Sequence, residues 1–305
     1  RMKLDSPEVL SNFEAHRVHL RALAYRMTGS LADAEDVLQE AFVRWANQST
    51  GVIEKPRAYL STLVTRLCLD HLSSARVRRE SYVGPWLPEP ILDEQSVGVE
   101  AKAELASDIT VALLLALERL SPLERAAFLL HDVFDCDYDE VARTIERSEQ
   151  ACRQLVARAR QGVRERRPRY HPNDEQISQI LGAFAQATLG NLEPLSQVLA
   201  EDAVFYSDGG GKVASATRPI LGRERIVKFV QGVLRKFPLD GSQVITPARV
   251  NGLPGFVIHR GKQVIRTVAF DVEAGLVQNV YQVNNPEKLT HLAWPVPTPP
   301  ASGVH

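Results

Sequence analysis

Apolar positions near the start of the chain recur at helical spacing. Phe13, Leu20, Leu23, Ala24 and Met27 share one predicted helix face. Thr28-Gly29-Ser30 interrupts it, and Ser30 is placed to cap a second helix. That helix carries Asp33, Glu35 and Asp36 in its first turns, where the helix dipole favours acids. Its apolar face is Leu31, Ala34, Val37–Leu38, Ala41–Phe42 and Trp45. A third helix is predicted from Pro56, through Tyr59, Leu60, Leu63, Val64, Leu67 and Leu72, to about Val77. Together these three helices predict one small bundle.

The pattern then changes. Gly84-Pro85-Trp86-Leu87-Pro88-Glu89-Pro90 has three prolines in six residues and predicts an extended, stiff strap. A bare linker needs no tryptophan. Trp86 and Leu87 therefore read as anchors for another surface, the alternative being a patch that folds back on its own domain. An apolar helix is expected from Ala103 to Leu120. Ser121-Pro122-Leu123-Glu124 then supplies an N-cap, a proline at the first helical position and a glutamate two residues on, opening a helix to about Val133. Tyr138–Ile145 predicts a short helix, Glu146-Arg147 a turn, and Ser148 the cap of a helix reaching about Arg166. Short helix, tight turn and basic helix form a helix-turn-helix pattern. In the last helix Ala151, Leu155, Ala159 and Val163 predict the buried stripe, with Arg153, Arg160 and Arg164 on another face.

Glycine usage shifts near residue 170: five glycines precede it and thirteen follow. The last part therefore reads as mixed rather than helical. Helices are predicted at Asp174–Leu189, Leu192–Leu199 and Gly222–Phe237. Strands are predicted at Ala203–Tyr206, Val244–Val250, Phe256–His259, Val264–Val272 and Leu276–Val283. Helices followed by four antiparallel strands suggest an α+β cone. The proline-rich segment 291–305 reads as a disordered tail.

Composition adds limits. Over 305 residues, 44% are hydrophobic and 24% charged, an ordinary globular balance. No apolar run is long enough to span a membrane, and no N-terminal stretch reads as a signal peptide. Cys68, Cys136 and Cys152 are odd in number and widely spaced, which suits a reducing compartment; without a CxxC no structural zinc is expected. The net charge of −1 conceals two basic blocks. Lys55–Arg79 holds six basic residues against one acid, and Val141–Arg169 nine arginines against three glutamates. They read either as solvated helix faces or, taken together, as two footprints on a polyanion.

Two stretches carry a resemblance. Tyr25–Ser30 with Asp33–Phe42, continued by Pro56–Leu60 and Asp70-His71-Leu72, resembles region 2 of bacterial sigma factors of the extracytoplasmic-function type. Leu120–Arg125 with Ser148–Arg160 resembles region 4. Trp86–Pro90, Asp208–Lys212 and Asn285–Leu289 resemble motifs of the subgroup with a C-terminal SnoaL-like (NTF2-like) extension, with Glu287 where that subgroup usually has Asp.

The resemblance implies a multidomain chain with two all-α sigma domains and an α+β cone. These are region 2 as a three-helix bundle (8–80), a linker (81–102), region 4 with its helix-turn-helix (103–167), the SnoaL-like regulatory domain (173–290) and the tail. It implies a cytoplasmic protein whose partners are core RNA polymerase and promoter DNA. No cofactor, metal, membrane or separate anti-sigma factor is required, and a small ligand in the last domain stays open.

Asp33, Asp36, Gln39, Glu40 and Trp45 become candidates for core polymerase, although without the resemblance the acids Asp33, Glu35 and Asp36 read first as partners of the helix dipole. Arg57, Arg66, Arg76, Arg78 and Arg79 become candidates for the −10 element. Ser148, Glu149, Gln150, Arg153, Gln154, Arg158 and Arg160 become candidates for the −35 element. There Gln150, Arg153 and Gln154 face base edges, while Arg158 and Arg160 hold phosphates.

The strap residues Trp86, Leu87, Pro88, Glu89 and Pro90 are expected to meet the last domain. Its candidates are Asp208, Gly209, Gly210, Gly211 and Lys212 on a flexible turn, with Lys212 pairing with Glu89 and Trp86 entering an apolar groove. The tail Asn285, Pro286, Glu287, Lys288 and Leu289 is expected to make a different contact, one that favours polymerase binding. SnoaL-like folds also host enzymes, for which Asp202, Asp208 and His259 are the candidates and Tyr206 and Tyr281 line either a pocket or the core. A DNA-binding front on a small-molecule enzyme or sensor, and a repressor that never meets polymerase, are the rival readings. His16 and His19 read as surface residues rather than a metal pair.

Overall fold

The computed structural model describes residues 7–47, 53–80, 82–93, 110–164, 172–292 and 294. The chain forms two compact units, one of residues 1–81 with 113–167 and the other of residues 82–112 with 168–305. Both helical segments therefore share one unit, and the strap belongs with the last domain.

Among the described residues the first unit is helical: α1 (Pro7–Glu14), α2 (Arg17–Thr28), α3 (Leu31–Ala46), α4 (Pro56–Glu80), α5 (Val111–Glu118), α6 (Pro122–Phe128), α7 (Tyr138–Ile145) and α8 (Glu149–Arg164). The first segment thus has four helices rather than three, because the chain breaks between Glu14 and Arg17. Gly29 ends α2 in the left-handed region (φ 69°), and Ser30 caps α3 by accepting from the Asp33 N–H at 3.1 Å. Ser121 and Glu124 form a reciprocal capping box at α6, which runs on as a π-helical turn, Leu129–Val133. Leu20, Leu23, Met27, Leu38, Leu60 and Val64 are buried, and α2 packs on both α3 and α4.

The two helical segments are joined by polar contacts as well as apolar ones. Arg125, 3% exposed, donates to the Met27 carbonyl at 2.5 Å and to Glu118 at 2.8 Å, and burial pulls its pKa down to about 10. Arg66 on α4 donates to the Thr144 and Arg143 carbonyls at 3.0 and 2.9 Å, at the C-terminus of α7 where the dipole favours a cation. It also lies 3.2 Å from Glu146.

The second unit is a six-stranded sheet covered by helices. It comprises α9 (Asp174–Thr188), α10 (Glu193–Val198), β1 (Leu199–Asp208), β2 (Ile220–Leu221), α11 (Arg223–Lys236), β3 (Val244–Val250), β4 (Leu253–Arg260), β5 (Gln263–Glu273) and β6 (Leu276–Val283). The strand order is β2-β1-β6-β5-β4-β3. β3 to β6 form the expected antiparallel run, and β1 adds to β6 in parallel. β1 starts four residues earlier than expected because Leu199 and Ala200 are buried too. Phe184, Phe205, Phe256 and Phe270 anchor its core. The expected tail is partly seated: Leu292 is buried, His291 donates to the Pro90 carbonyl at 2.8 Å, and the Trp294 N–H donates to the Lys262 carbonyl at 2.9 Å. Residues 295–305 lie outside the described residues.

His19 is not a surface residue; it is 7% exposed. Arg57 donates to its Nδ1 at 3.1 Å, which leaves Nε2 to donate to Ser61 Oγ at 3.0 Å. Burial, with the neighbouring Arg57 guanidinium, lowers its pKa to about 4. In the unfolded chain it titrates near 6.5, so the unfolded state binds more protons between the two values. Stability from the neutral ring is therefore complete above pH 6.5 and is lost as pH falls toward 4. In urea titrations followed by the helix signal, the native chain should lose about 2 kcal/mol more than His19→Gln between pH 7 and pH 5. Equal losses would show that His19 does not couple folding to pH.

Candidate functional site: helix-turn-helix surface and clamped strap

In the helical unit, α7 and α8 meet at Glu146, a non-glycine residue in the left-handed region (φ 56°) that ends α7 and turns the chain. Cys152, Leu155, Val156, Ala159 and Val163 form the buried face of α8. Ala151, expected in that stripe, is only half-buried, since the packed face follows the i, i+3, i+4 pattern rather than strict i, i+4. Ser148, Glu149, Gln150, Arg153, Gln154 and Arg158 are exposed together at the open end of α8. Ser148 Oγ accepts from the Ala151 N–H at 3.3 Å. Arg153 reaches Glu149 on its own helix at 2.8 Å and lies 4.4 Å over the Tyr138 ring of α7. Arg158 pairs with Glu124 at 2.8 Å. Arg160 makes a two-pronged pair with Asp132, both contacts 2.7 Å, which braces α8 on the π-helical turn.

On α4, Arg57 is exposed but holds His19, and Arg66 is occupied by the end of α7. Both are turned toward protein in this arrangement. The side chains of Arg76, Arg78, Arg79 and Arg164 lie outside the described residues. On α3, Asp36, Gln39 and Glu40 are exposed, with Glu40 paired to Arg44 at 2.5 Å. Asp33 is half-buried, 3.2 Å from His71. Trp45 is half-buried: its indole N–H donates to the Val9 carbonyl at 3.1 Å and its ring packs on Tyr59.

In the second unit the strap Tyr82–Asp93 runs over the domain, and its polar contacts converge on one carboxylate. Asp208, at the end of β1, is fully buried. The Tyr82 hydroxyl donates to Oδ1 at 2.5 Å. The Leu87 N–H and Lys288 Nζ each donate to Oδ2 at 2.8 Å. Lys288 also donates to the Leu87 carbonyl at 2.5 Å, and its ammonium lies 4.1 Å from the Trp86 ring centroid and 5.0 Å from that of Tyr82. Asn285 donates to the Tyr82 hydroxyl at 2.8 Å. Burial, followed by the hydrogen bond to Asp208, holds the Tyr82 phenol well above its ordinary range. Leu87, Pro88, Glu89 and Pro90 are buried on the domain, Leu87 at 1% exposure.

Farther along, the Ile91 N–H donates to Asn251 Oδ1 and the Asn251 N–H to the Ile91 carbonyl. Leu92 bridges Val250, while Asp93 pairs with Arg249 and accepts from the Gly252 N–H. The strap thus adds a short piece of edge to β3.

Two expectations about this site are corrected. Lys212 pairs with Glu287 at 2.9 Å, both exposed, and not with Glu89, which is buried. Trp86 is half-buried and presents its face to the Lys288 ammonium instead of entering an apolar groove, because a cation gains from a ring face in a partly dry site. The tail also reaches the strap: Asn285 and Lys288 close the same site that holds it. Pro286 and Glu287 form the short 3-10 turn with Lys288, and Leu289 is buried. The glycine turn is a packed element. A side chain at Gly210 (φ 59°) would meet Asn285 and lie 3.0 Å from the Tyr82 hydroxyl, one at Gly211 (φ 71°) would lie 3.2 Å from Val83, and one at Gly209 2.6 Å from Ser215.

The candidates for chemistry are otherwise employed. Asp208 is enclosed by its donors and Asp202 is exposed. His259 donates through Nδ1 to the Gly261 carbonyl at 2.9 Å and lies 3.2 Å from Thr246 through Nε2. Tyr206 and Tyr281 stack on each other at 5.5 Å. Among the described residues no cluster of His, Cys, Asp and Glu is suited to a metal ion, and no helix is long and apolar enough to cross a membrane.

Comparison with known proteins agrees with this division. Residues 13–78 match the model for Sigma-70 region 2, and residues 110–161 that for Sigma-70, region 4. The chain is 38% identical over 300 residues to the ECF RNA polymerase sigma factor SigJ of Mycobacterium tuberculosis H37Rv, covering 92% of this chain and 93% of that protein. It is 31% identical to the probable ECF RNA polymerase sigma factor SigI of the same species, covering 93% and 96%. The crystal structure of the M. tuberculosis sigma factor SigJ superposes with a TM-score of 0.72 at 36% identity, over 94% of this chain and all of that one.

Proposed function

This chain belongs to the extracytoplasmic-function family of RNA polymerase sigma factors and directs transcription initiation at promoters, and we propose that its last domain regulates that activity in cis by clamping the strap. The protein works beside core polymerase in the cytoplasm. α3 offers Asp36, Gln39 and Glu40 to the polymerase, and α4 carries Arg57 and Arg66, with Arg76, Arg78 and Arg79 farther along its sequence, to the −10 element. α8 reads the −35 element with Gln150, Arg153 and Gln154 at base edges and Arg158 on phosphate, Ser148 and Glu149 shaping the helix start.

Regulation in cis rests on one observation: the sequence between region 2 and region 4 is fastened into the C-terminal domain at a buried carboxylate. Reading −10 and −35 together requires the two DNA-reading regions to be separated along the duplex. A strap fixed from Tyr82 to Asp93 leaves less free chain for that separation, and Arg66 engaged at the end of α7 keeps the two segments together. Release of the strap then favours the open, promoter-competent form, and no separate anti-sigma protein is needed. The sigma activity is not enzymatic, and the positions of Asp202, Asp208 and His259 do not favour catalysis in the last domain.

Two experiments test this. Arg153→Ala should relax base preference at one −35 position in a randomised promoter library, at a cost of about 1–3 kcal/mol, whereas Arg158→Ala should weaken binding evenly across sequences. An unchanged −35 preference with Arg153→Ala would remove its base-reading role. Asp208→Asn, Lys288→Met and truncation after Asn284 should each raise run-off transcription by core polymerase about threefold to tenfold at matched folded protein, the shift expected for losing roughly a kcal/mol of closed-state stability. Three variants with native output would reduce the domain to a passenger.

A further inference from the structure

Two adjoining cavities lie in the last domain between the sheet and its helices. There an inner chamber of about 80 Å³ lies among Phe184, Phe205, Phe229 and Phe256. A wider mouth of about 450 Å³ shares Phe229, Val233, Leu234, Leu239, Arg266 and Gln282 with it, so the two form one continuous cone. Arg266 lies on β5 on the same face as Val268 and Phe270, opposite Ile258 of β4. Its Nε is buried without a hydrogen-bond partner. Neither chamber is lined by an Asp or Glu among the described residues, and burial lowers the Arg266 pKa with no carboxylate offsetting it. Asn284 Oδ1, also in the mouth, is buried and unpartnered as well.

Arg266 as a whole is half-buried, but a guanidinium whose Nε is shut off from water beside no counter-charge is costly, and an anion in the mouth would offset that cost. Gln282 cannot serve, being neutral and already donating to Ser207 Oγ at 2.9 Å, which in turn contacts Ser215 Oγ at 2.7 Å. The ring-lined chamber beyond the cation suits a flat apolar body. We propose that the cone of the C-terminal domain binds a small aromatic carboxylate, its ring in the phenylalanine-lined chamber and its carboxylate accepting from Arg266. The inference concerns this domain alone and stands whether or not the strap controls transcription.

The test uses the full-length chain and trans-cinnamate, with the neutral isostere cinnamamide as control, in calorimetric titration. Cinnamate should bind saturably, and cinnamamide about tenfold or more weaker, because only the acid pairs with the buried cation. Arg266→Gln should bring the two ligands to within about twofold of each other. Phe229→Trp, which fills the wall common to both chambers, should abolish binding of both and decides the matter if Arg266→Gln does not fold. Equal affinity of acid and amide for the native chain would overturn the proposal. So would a preference retained in Arg266→Gln, cinnamate binding unaffected by Phe229→Trp, or no saturable binding at millimolar cinnamate.

Discussion

A carboxylate removed from water must be met by donors on every side, and Asp208 is met by the strap and the tail together. Tyr82 and Leu87 supply donors from one end of the chain segment, and Lys288 from the other. Breaking such an arrangement by removing one partner leaves a charge buried and uncompensated, so strap, β1 and tail hold as a unit. The glycine turn exists for the same reason: Gly210 and Gly211 let the backbone come close enough for Asn285 and Val83 to pack. A segment that reads as a linker thereby becomes part of a domain core.

The helical unit shows the complementary economy. Arg125 and Arg66 each donate to backbone carbonyls near the end of a helix in the other segment, and Arg160 clamps α8 to Asp132. Guanidinium groups fit both helix C-termini and carboxylates, so these arginines tie the helical unit to itself. Arg66 is the broadest of these ties, since it meets two carbonyls and the Glu146 carboxylate.

Local signals in the sequence carried far. Ser30, the Ser121–Glu124 box and Tyr138–Ile145 were legible because caps and turns act over a few residues. The run of strands from Val244 to Val283 was legible by its punctuation with turns, including Ala274-Gly275 in the left-handed region. Contacts between distant residues were not. Lys288 and Asp208 are 80 positions apart, and Tyr82 and Asp208 are 126, so no periodicity links them. Lys212 was paired with the wrong acid because exposed lysines reach several partners of similar worth. The parallel pairing of β1 with β6 and the burial of His19 likewise depend on tertiary placement, and His19 gave no signal beyond its spacing on α2.

The Leu87 amide reports on the clamp directly, since its hydrogen leaves only when the Asp208 contact opens. Native-state hydrogen exchange of the full chain should show that amide protected with an opening free energy close to that of the amides of β1 and β6, and Asp208→Asn should lower it sharply. Exchange of Leu87 at the rate of an unprotected loop amide, with the β1 and β6 amides still protected, would contradict a strap held by Asp208.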